Sequence, residues 1–180
     1  SCSVMTSGEL PGYFTKIRSI TAAAMNDGEC ITASGSAEEF RDMLSDSSIV
    51  KYGYDIKQQC NILSYNGIEL NGQLRDIELM HYLINPEKSH KIEILARTYL
   101  NINLEDRVPA AEETQPLSLF DEVPAESSEN TDHLPEVAAT LLIGGKVHEE
   151  MESMNLCHLY ETMEEPLLKV LSDMETEGMK

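Results

Sequence analysis

Two aspartates, three histidines and one lysine are the side chains of this 180-residue sequence that most invite a chemical role. A carboxylate can ligate a hard cation, but it can equally accept the orphan N–H groups at the start of a helix. Asp55 precedes a run with Ile56, Cys60 and Leu63 at helical spacing, and Gln58 follows three residues later, the spacing of a capping box. Asp76 stands before a second such run, with Leu79, Tyr82 and Leu83 expected on one side. Both aspartates are predicted as helix caps. The run His148-Glu149-Glu150 would need a second His or Cys at ligand spacing to hold a transition metal, and has none, so a solvated helix face is expected. His81 and His90 are expected as packing or surface residues, and Lys57 as an ordinary exposed lysine. Gly144-Gly145-Lys146 lacks the spacing of a phosphate-binding loop.

The elements around these residues follow from periodicity and turn chemistry. Strands are predicted at Cys2–Thr6, Ile17–Met25 and Glu29–Ala33, the last two joined through the hairpin signal Asn26-Asp27-Gly28. Ser36, with Glu39 three residues on, opens a helix that turns Phe40, Met43 and Leu44 inward. A strand at Ile49–Tyr54 leads into the Asp55 helix, which Gly67 closes. Ile68-Glu69-Leu70 is predicted as the next strand, and Asn85-Pro86 ends the Asp76 helix. From Val137, Ala138, Leu141, Leu142, Val147, Met151 and Met154 recur at helical spacing, and Gly144-Gly145 is expected to weaken or break that helix. A last stripe runs through Leu156, Leu159, Tyr160, Met163, Leu167, Val170, Leu171 and Met174, with a kink or restart at Pro166.

Bulk composition narrows the function. About two fifths of the chain is apolar, enough for a core. The 32 acidic against 13 basic residues give a net charge of −19, which opposes broad nucleic-acid contact, because such affinity rests on Lys and Arg neutralising phosphates. Cys2, Cys30, Cys60 and Cys157 form no CxxC pair, so neither a disulfide framework nor a zinc site is expected, and a reducing cytoplasm fits. No membrane span or signal peptide is visible. Ser1 is not an initiating methionine, and the chain is expected to be a piece of a longer protein.

Four words in the middle of the chain carry a resemblance: Tyr52-Gly53-Tyr54-Asp55-Ile56-Lys57, Asn66-Gly67-Ile68-Glu69-Leu70, Arg75-Asp76-Ile77-Glu78-Leu79 and Tyr82-Leu83-Ile84-Asn85-Pro86. His90 and Leu95-Ala96-Arg97-Thr98-Tyr99-Leu100 follow. A second block runs from Leu159-Tyr160-Glu161-Thr162-Met163-Glu164-Glu165-Pro166-Leu167 to Met174-Glu175-Thr176-Glu177-Gly178-Met179. In this order and at this distance they resemble the 3′–5′ exonuclease domain of bacterial family A DNA polymerases and the helix that leads into the polymerase domain. The resemblance implies an α/β, ribonuclease H-like fold: a mixed sheet flanked by helices, with a C-terminal helix directed toward a polymerase domain.

It also implies a two-metal chemistry held by four acids. These are an Asp-x-Glu pair on the first strand, an Asp one turn into the helix after the fourth strand, and the Asp of a late Tyr-x-x-x-Asp word. Carried over, the pair falls near Val4 and Thr6, the helix Asp on Gln59, and the late word near Leu134 to Thr140, where no such word exists. Asp76 aligns with a family Asp that is not a metal ligand. The chain resembles those family members, found especially in Gram-positive bacteria, that keep the fold without the acids. No catalytic, cofactor-binding or metal-ligating residue is therefore assigned.

The expected organisation is an exonuclease-like core (1–104), an acidic flexible insertion (105–136) whose only apolar cluster is Pro116–Phe120, a late helix (137–156), and a helix beginning the polymerase domain (157–180). The expected function is a structural platform for a DNA-directed DNA polymerase, a nucleotidyltransferase of replication and repair. The implied parent is an enzyme; the segment itself is not expected to be one. Its expected partner is the polymerase domain of the same chain, with DNA reached only through the parent and self-association of the isolated segment possible. Two rivals stand beside this: a working proofreading exonuclease with shifted ligands, and a free protein-interaction module.

Overall fold

The computed structural model describes residues 2–8, 16–104 and 133–178. Most of the acidic stretch 105–136, with the Pro116–Phe120 island, lies outside the described residues.

A five-stranded mixed sheet has the order β3-β2-β1-β4-β5. β1 (Cys2–Gly8), β2 (Ile17–Asn26) and β3 (Glu29–Gly35) are antiparallel, while β4 (Lys51–Gly53) and β5 (Leu74–Asp76) continue it in parallel. The β2–β3 turn is the predicted one: Asp27 and Gly28 both take positive φ, 49° and 87°, which suits a two-residue hairpin loop. Successive residues of β2 serve opposite faces. Ala22 joins a core with Cys2, Ile20, Leu44, Leu63 and Ile68; Ala23 joins the larger core with Tyr52, Ile77, Met80, Ile143 and Val147.

α1 (Ala37–Ser45) and α2 (Ile56–Tyr65) cover the smaller core. Ser36 caps α1 as expected, its backbone N–H donating to the Glu39 carboxylate at 2.6 Å. Leu44 is fully buried, while Phe40 and Met43 are half-buried around it. α3 (Ile77–Ile84) is followed by α4 (Ile92–Leu95), which runs on as a π-helical turn over Ala96–Leu100. α5 (Leu134–Ser153) packs across the sheet, against strands β1 to β4. α6 (Cys157–Leu159), a π-helical turn at Tyr160–Glu164 and α7 (Glu165–Thr176) end the described chain. Pro166 sits in the first turn of α7, and the backbone stays right-handed helical through Glu164 and Glu165, so the helix runs on from the π-helical turn without the expected restart. Among the described residues no helix is long and apolar enough to cross a membrane.

Three expectations fail here for identifiable reasons. The strand predicted at Ile68-Glu69-Leu70 is irregular chain instead: Ile68 N–H bonds back to Leu63 C=O and Asn71 N–H to Leu44 C=O. The place beside β4 is taken by Leu74-Arg75-Asp76, too short and too polar to stand out by pattern. The diversion is held by Lys51, a buried lysine whose ammonium donates to the carbonyls of Asp46 (2.6 Å), Ile49 (3.2 Å) and Asn71 (2.6 Å).

Secondly, α5 passes unbroken through Gly144-Gly145. Gly144 lies against the Tyr52 ring so closely that a Cβ would overlap it, so glycine here permits helix–sheet contact. The buried face of α5 is broader than the predicted stripe, taking in Val137, Ala139, Thr140 and Ile143, while Leu142 and Met154 are exposed.

Thirdly, α3 buries Ile77, Met80, His81 and Ile84, with Leu79 and Leu83 at the margin and Tyr82 outside. His81 is a packing residue, as expected. Its Nδ1 lies 2.7 Å from Nδ1 of His90, and Tyr99 meets its ring edge-on.

Candidate functional site

Two places bear on function: the sheet centre, where the resemblance puts metal ligands, and the outer edge, where the C-terminal helix is attached.

Val4 and Thr6 lie on β1, the middle strand, paired with Ala22 and Ile20 of β2. Gln59 is in the first turn of α2, its N–H bonded to Asp55 C=O. Positions 134–140 form the first two turns of α5. The donor types at these places do not fit a pair of hard divalent ions, which need several carboxylate oxygens. Valine offers none, threonine a hydroxyl and Gln59 a neutral amide. In the α5 stretch the one acid, Glu136, lies 2.5 Å from Nδ1 of His133. Among the described residues no group of three His, Cys, Asp or Glu side chains is arranged to hold a metal ion.

Asp55 and Asp76 are both caps, as predicted. Asp55 takes positive φ (49°) and accepts the N–H of Gln58 at 3.3 Å. Asp76 does more. One oxygen accepts the N–H groups of Glu78 (3.0 Å) and Leu79 (3.2 Å) at the start of α3, and the other accepts the N–H of Ile56 (2.7 Å) at the start of α2. A single carboxylate thus fastens two helix N-termini, where the helix dipoles favour negative charge. It is 4% exposed, and burial, opposed by these hydrogen bonds, pushes its pKa up to about 6.

Among the described residues the outer edge of β5 has no neighbouring strand. Its outward backbone groups are satisfied by side chains from the C-terminal helix. Tyr160 O–H donates to Leu74 C=O (2.9 Å) and accepts Asp76 N–H (2.7 Å), while the Glu165 carboxylate accepts Leu74 N–H (2.8 Å). Together they play the part of a sixth strand, and a buried edge left without them would cost free energy for each unpaired group. Burial drives the Tyr160 phenol well above its ordinary pKa, so it stays a hydroxyl.

Further along, Glu175 bridges Lys57 Nζ (2.6 Å) and Asn61 Nδ2 (2.8 Å), and Ser172 O–H donates to Asn61 Oδ1 (2.5 Å). Lys57 is therefore half-buried in an ion pair, not the exposed lysine expected. The expected solvated face at His148-Glu149-Glu150 is also only partly so. Glu149 is exposed, but Glu150 accepts the Tyr99 hydroxyl at 2.6 Å, and His148 packs against the Arg75 guanidinium, which sits over the Tyr52 ring. Burial, then the nearby Arg75 charge, hold the His148 pKa below its usual value. Tyr160, Glu165 and Arg75 carry no local sequence signal of these roles, because their partners lie some 70 to 90 residues away in sequence.

The profile of the DNA polymerase I ribonuclease H-like domain matches residues 21–107. DNA polymerase I of Bacillus subtilis is 29% identical over 147 residues, covering 80% of this chain and 16% of that protein. DNA polymerase I of Synechocystis sp. is 26% identical, over 77% of this chain and 14% of its own length. Among solved structures, the POL domain of the M. smegmatis Pol1 protein, in complex with a DNA primer-template and dNTP, superposes with a TM-score of 0.73 at 20% identity, covering 98% of this chain and 28% of that one.

The chain is a ribonuclease H-like domain of α/β class. More particularly, over residues 21–107 it is similar to the ribonuclease H-like domain of DNA polymerase I, and it spans about a sixth of the curated relatives' length.

Proposed function

We propose that this domain has given up metal-dependent nuclease chemistry and serves as a structural platform beside the polymerase domain of a longer, cytoplasmic DNA polymerase I chain. One observation supports the reading: at the positions on β1 and α2 to which the resemblance assigns carboxylates, the chain has Val4, Thr6 and Gln59. Without those oxygens two cations about 4 Å apart have nothing to hold them. Asp55 and Asp76 do not substitute, since their oxygens are committed to helix N–H groups. The net charge of −19 supports a DNA grip elsewhere in that longer chain.

The test is incubation of the purified chain with labelled single-stranded DNA and magnesium or manganese. No 3′–5′ shortening is expected. Shortening that follows the protein through further purification overturns the reading and favours a working exonuclease with shifted ligands. A parallel titration at physiological salt is expected to give a dissociation constant weaker than about 1 μM, the non-specific range.

A further inference from the structure

The two edges of the sheet are finished differently. β5 is three residues long, and its outward groups are taken up by Tyr160 and Glu165. β3 closes the other end of the sheet with seven residues, and among the described residues no strand lies beyond it. Edge strands are ordinarily blunted by Lys, Pro, a bulge or shortness, because an open ladder invites another strand. Glu29-Cys30-Ile31-Thr32-Ala33-Ser34-Gly35 has none of these: its register with β2 is unbroken, and its one charge stands at the end.

Alternation decides which groups this edge offers. Asn26 and Glu29 flank the two-residue turn and close it as a hydrogen-bonded pair. Ile31 and Ala33 therefore also bond to β2, while Cys30, Thr32 and Ser34 turn their backbone N–H and C=O groups outward. The Thr21 and Ser34 hydroxyls, 3.2 Å apart, mark one of the close, non-bonded pairs of that ladder. On the Ala22 face of the sheet, Ala24, Ile31 and Ala33 are exposed and make an apolar strip beside the edge, with Ile31 exposed by 51%.

We propose that the β3 edge is a self-pairing surface, to which a second copy of this chain adds antiparallel about a two-fold axis at Thr32. In that register Thr32 meets its own counterpart, Cys30 meets Ser34 and Ile31 meets Ala33. All the outward groups then pair, in about six hydrogen bonds, and the two apolar strips become one. A slip of two residues leaves one outward residue of each strand without its partner. The occupant is a second copy because the strand fits itself under the two-fold: it is uncharged from Cys30 to Gly35, and Glu29 falls opposite Gly35 and not opposite another acid. The contact is small, below about 1,200 Å², so the association is weak, with a dissociation constant on the order of 100 μM. Asp27 and Glu29 stand at the ends of the ladder and the chain carries −19 overall, so pairing is strongest where salt screens charge. The inference stands apart from the family reading.

Sedimentation of the reduced 180-residue chain in about 0.5 M NaCl, where the screening length is roughly 4 Å, is expected to show a monomer–dimer equilibrium. Amide exchange read residue by residue locates it. Between about 10 μM and 1 mM protein, Cys30, Thr32 and Ser34 are expected to slow about fourfold, the change in free monomer for that affinity. Ile31 and Ala33, already bonded to β2, are expected to stay the same. Ile31→Lys, at an exposed position that leaves the fold intact, and Thr32→Pro, which removes the central outward N–H, are each expected to weaken the dimer at least tenfold.

The other apolar surface is on α7, where Leu167, Val170, Leu171 and Met174 are exposed while Ser172 and Glu175 face inward. Association that Leu167→Glu with Leu171→Glu abolishes and Ile31→Lys leaves untouched puts the contact there and overturns the proposal. A monomer at 1 mM overturns it too. So does full protection of Cys30, Thr32 and Ser34 in the most dilute sample, because the chain then covers the edge itself.

Discussion

The centre of the sheet and its β5 edge make opposite use of polar residues. At the centre, where the resemblance implies acids, the chain carries Val4, Thr6 and Gln59. At the edge, Asp76, Tyr160, Glu165 and Glu175 make hydrogen bonds that cross from one element to another, several of them buried. Carboxylates brought together to hold metal repel one another and burden the fold unless the cations are present. Carboxylates aimed at backbone N–H groups stabilise the fold with no cofactor. On the proposed reading, a domain without nuclease chemistry has no need of the first kind. It keeps the second for as long as its own sheet edge must stay in place.

The largest effect that would break this contrast is expected at Tyr160. Tyr160→Phe leaves Leu74 C=O and Asp76 N–H unpaired in a buried seam, at about 1–3 kcal/mol each, for a loss of roughly 2–5 kcal/mol in urea unfolding. A loss under about 1 kcal/mol would mean that water or a shift of the helix replaces the phenol, and that the edge is not what holds the C-terminal helix.

Next is Asp76→Asn. The amide can accept at one helix terminus only, and it turns an N–H donor toward the other, so a loss of about 2–4 kcal/mol is expected. The pH dependence sharpens the test. A carboxyl raised from 3.8 to about 6 in the folded state is favoured protonated. Its contribution is therefore complete below pH 3.8 and falls as pH rises through about 6, by up to about 3 kcal/mol. The stability gap between wild type and Asp76→Asn should narrow between pH 4 and pH 7; a gap that widens would show a depressed pKa instead.

The smallest effects come from the adjacent glycines, and they should differ in sign. Gly144→Ala drives a methyl into the Tyr52 ring and should cost about 1–3 kcal/mol. Gly145→Ala meets open space and should gain up to about 1 kcal/mol of helix propensity. Equal effects at the two sites would remove the case for Gly144 as a packing position.

Much of this molecule was legible because the signals are local. A cap joins residues two or three apart, so Ser36, Asp55 and Asp76 could each be read beside their helices. The Asp27-Gly28 turn needs only two residues of positive φ. The four words in the middle of the chain pointed to the family for a related reason: each lies on one short run.

What stayed hidden was non-local. β5 is three residues long, and only its place beside β4 makes it a strand. Gly144 reads as a helix breaker until the Tyr52 ring is seen against it. The periodicity of the last stripe marked an amphipathic helix but not which side faces in, because that depends on Lys57, Asn61 and Leu74, some 90 to 120 residues earlier. Residue types and spacing along the chain therefore determined most of the helices, the β2–β3 hairpin and the resemblance on which the functional reading rests. Tertiary structure alone decided that Asp76 serves two helices, that Tyr160 and Glu165 complete the sheet edge and that α7 turns its apolar side outward. Periodicity records how residues follow one another along a single element, and the partner that settles orientation lies on a different one.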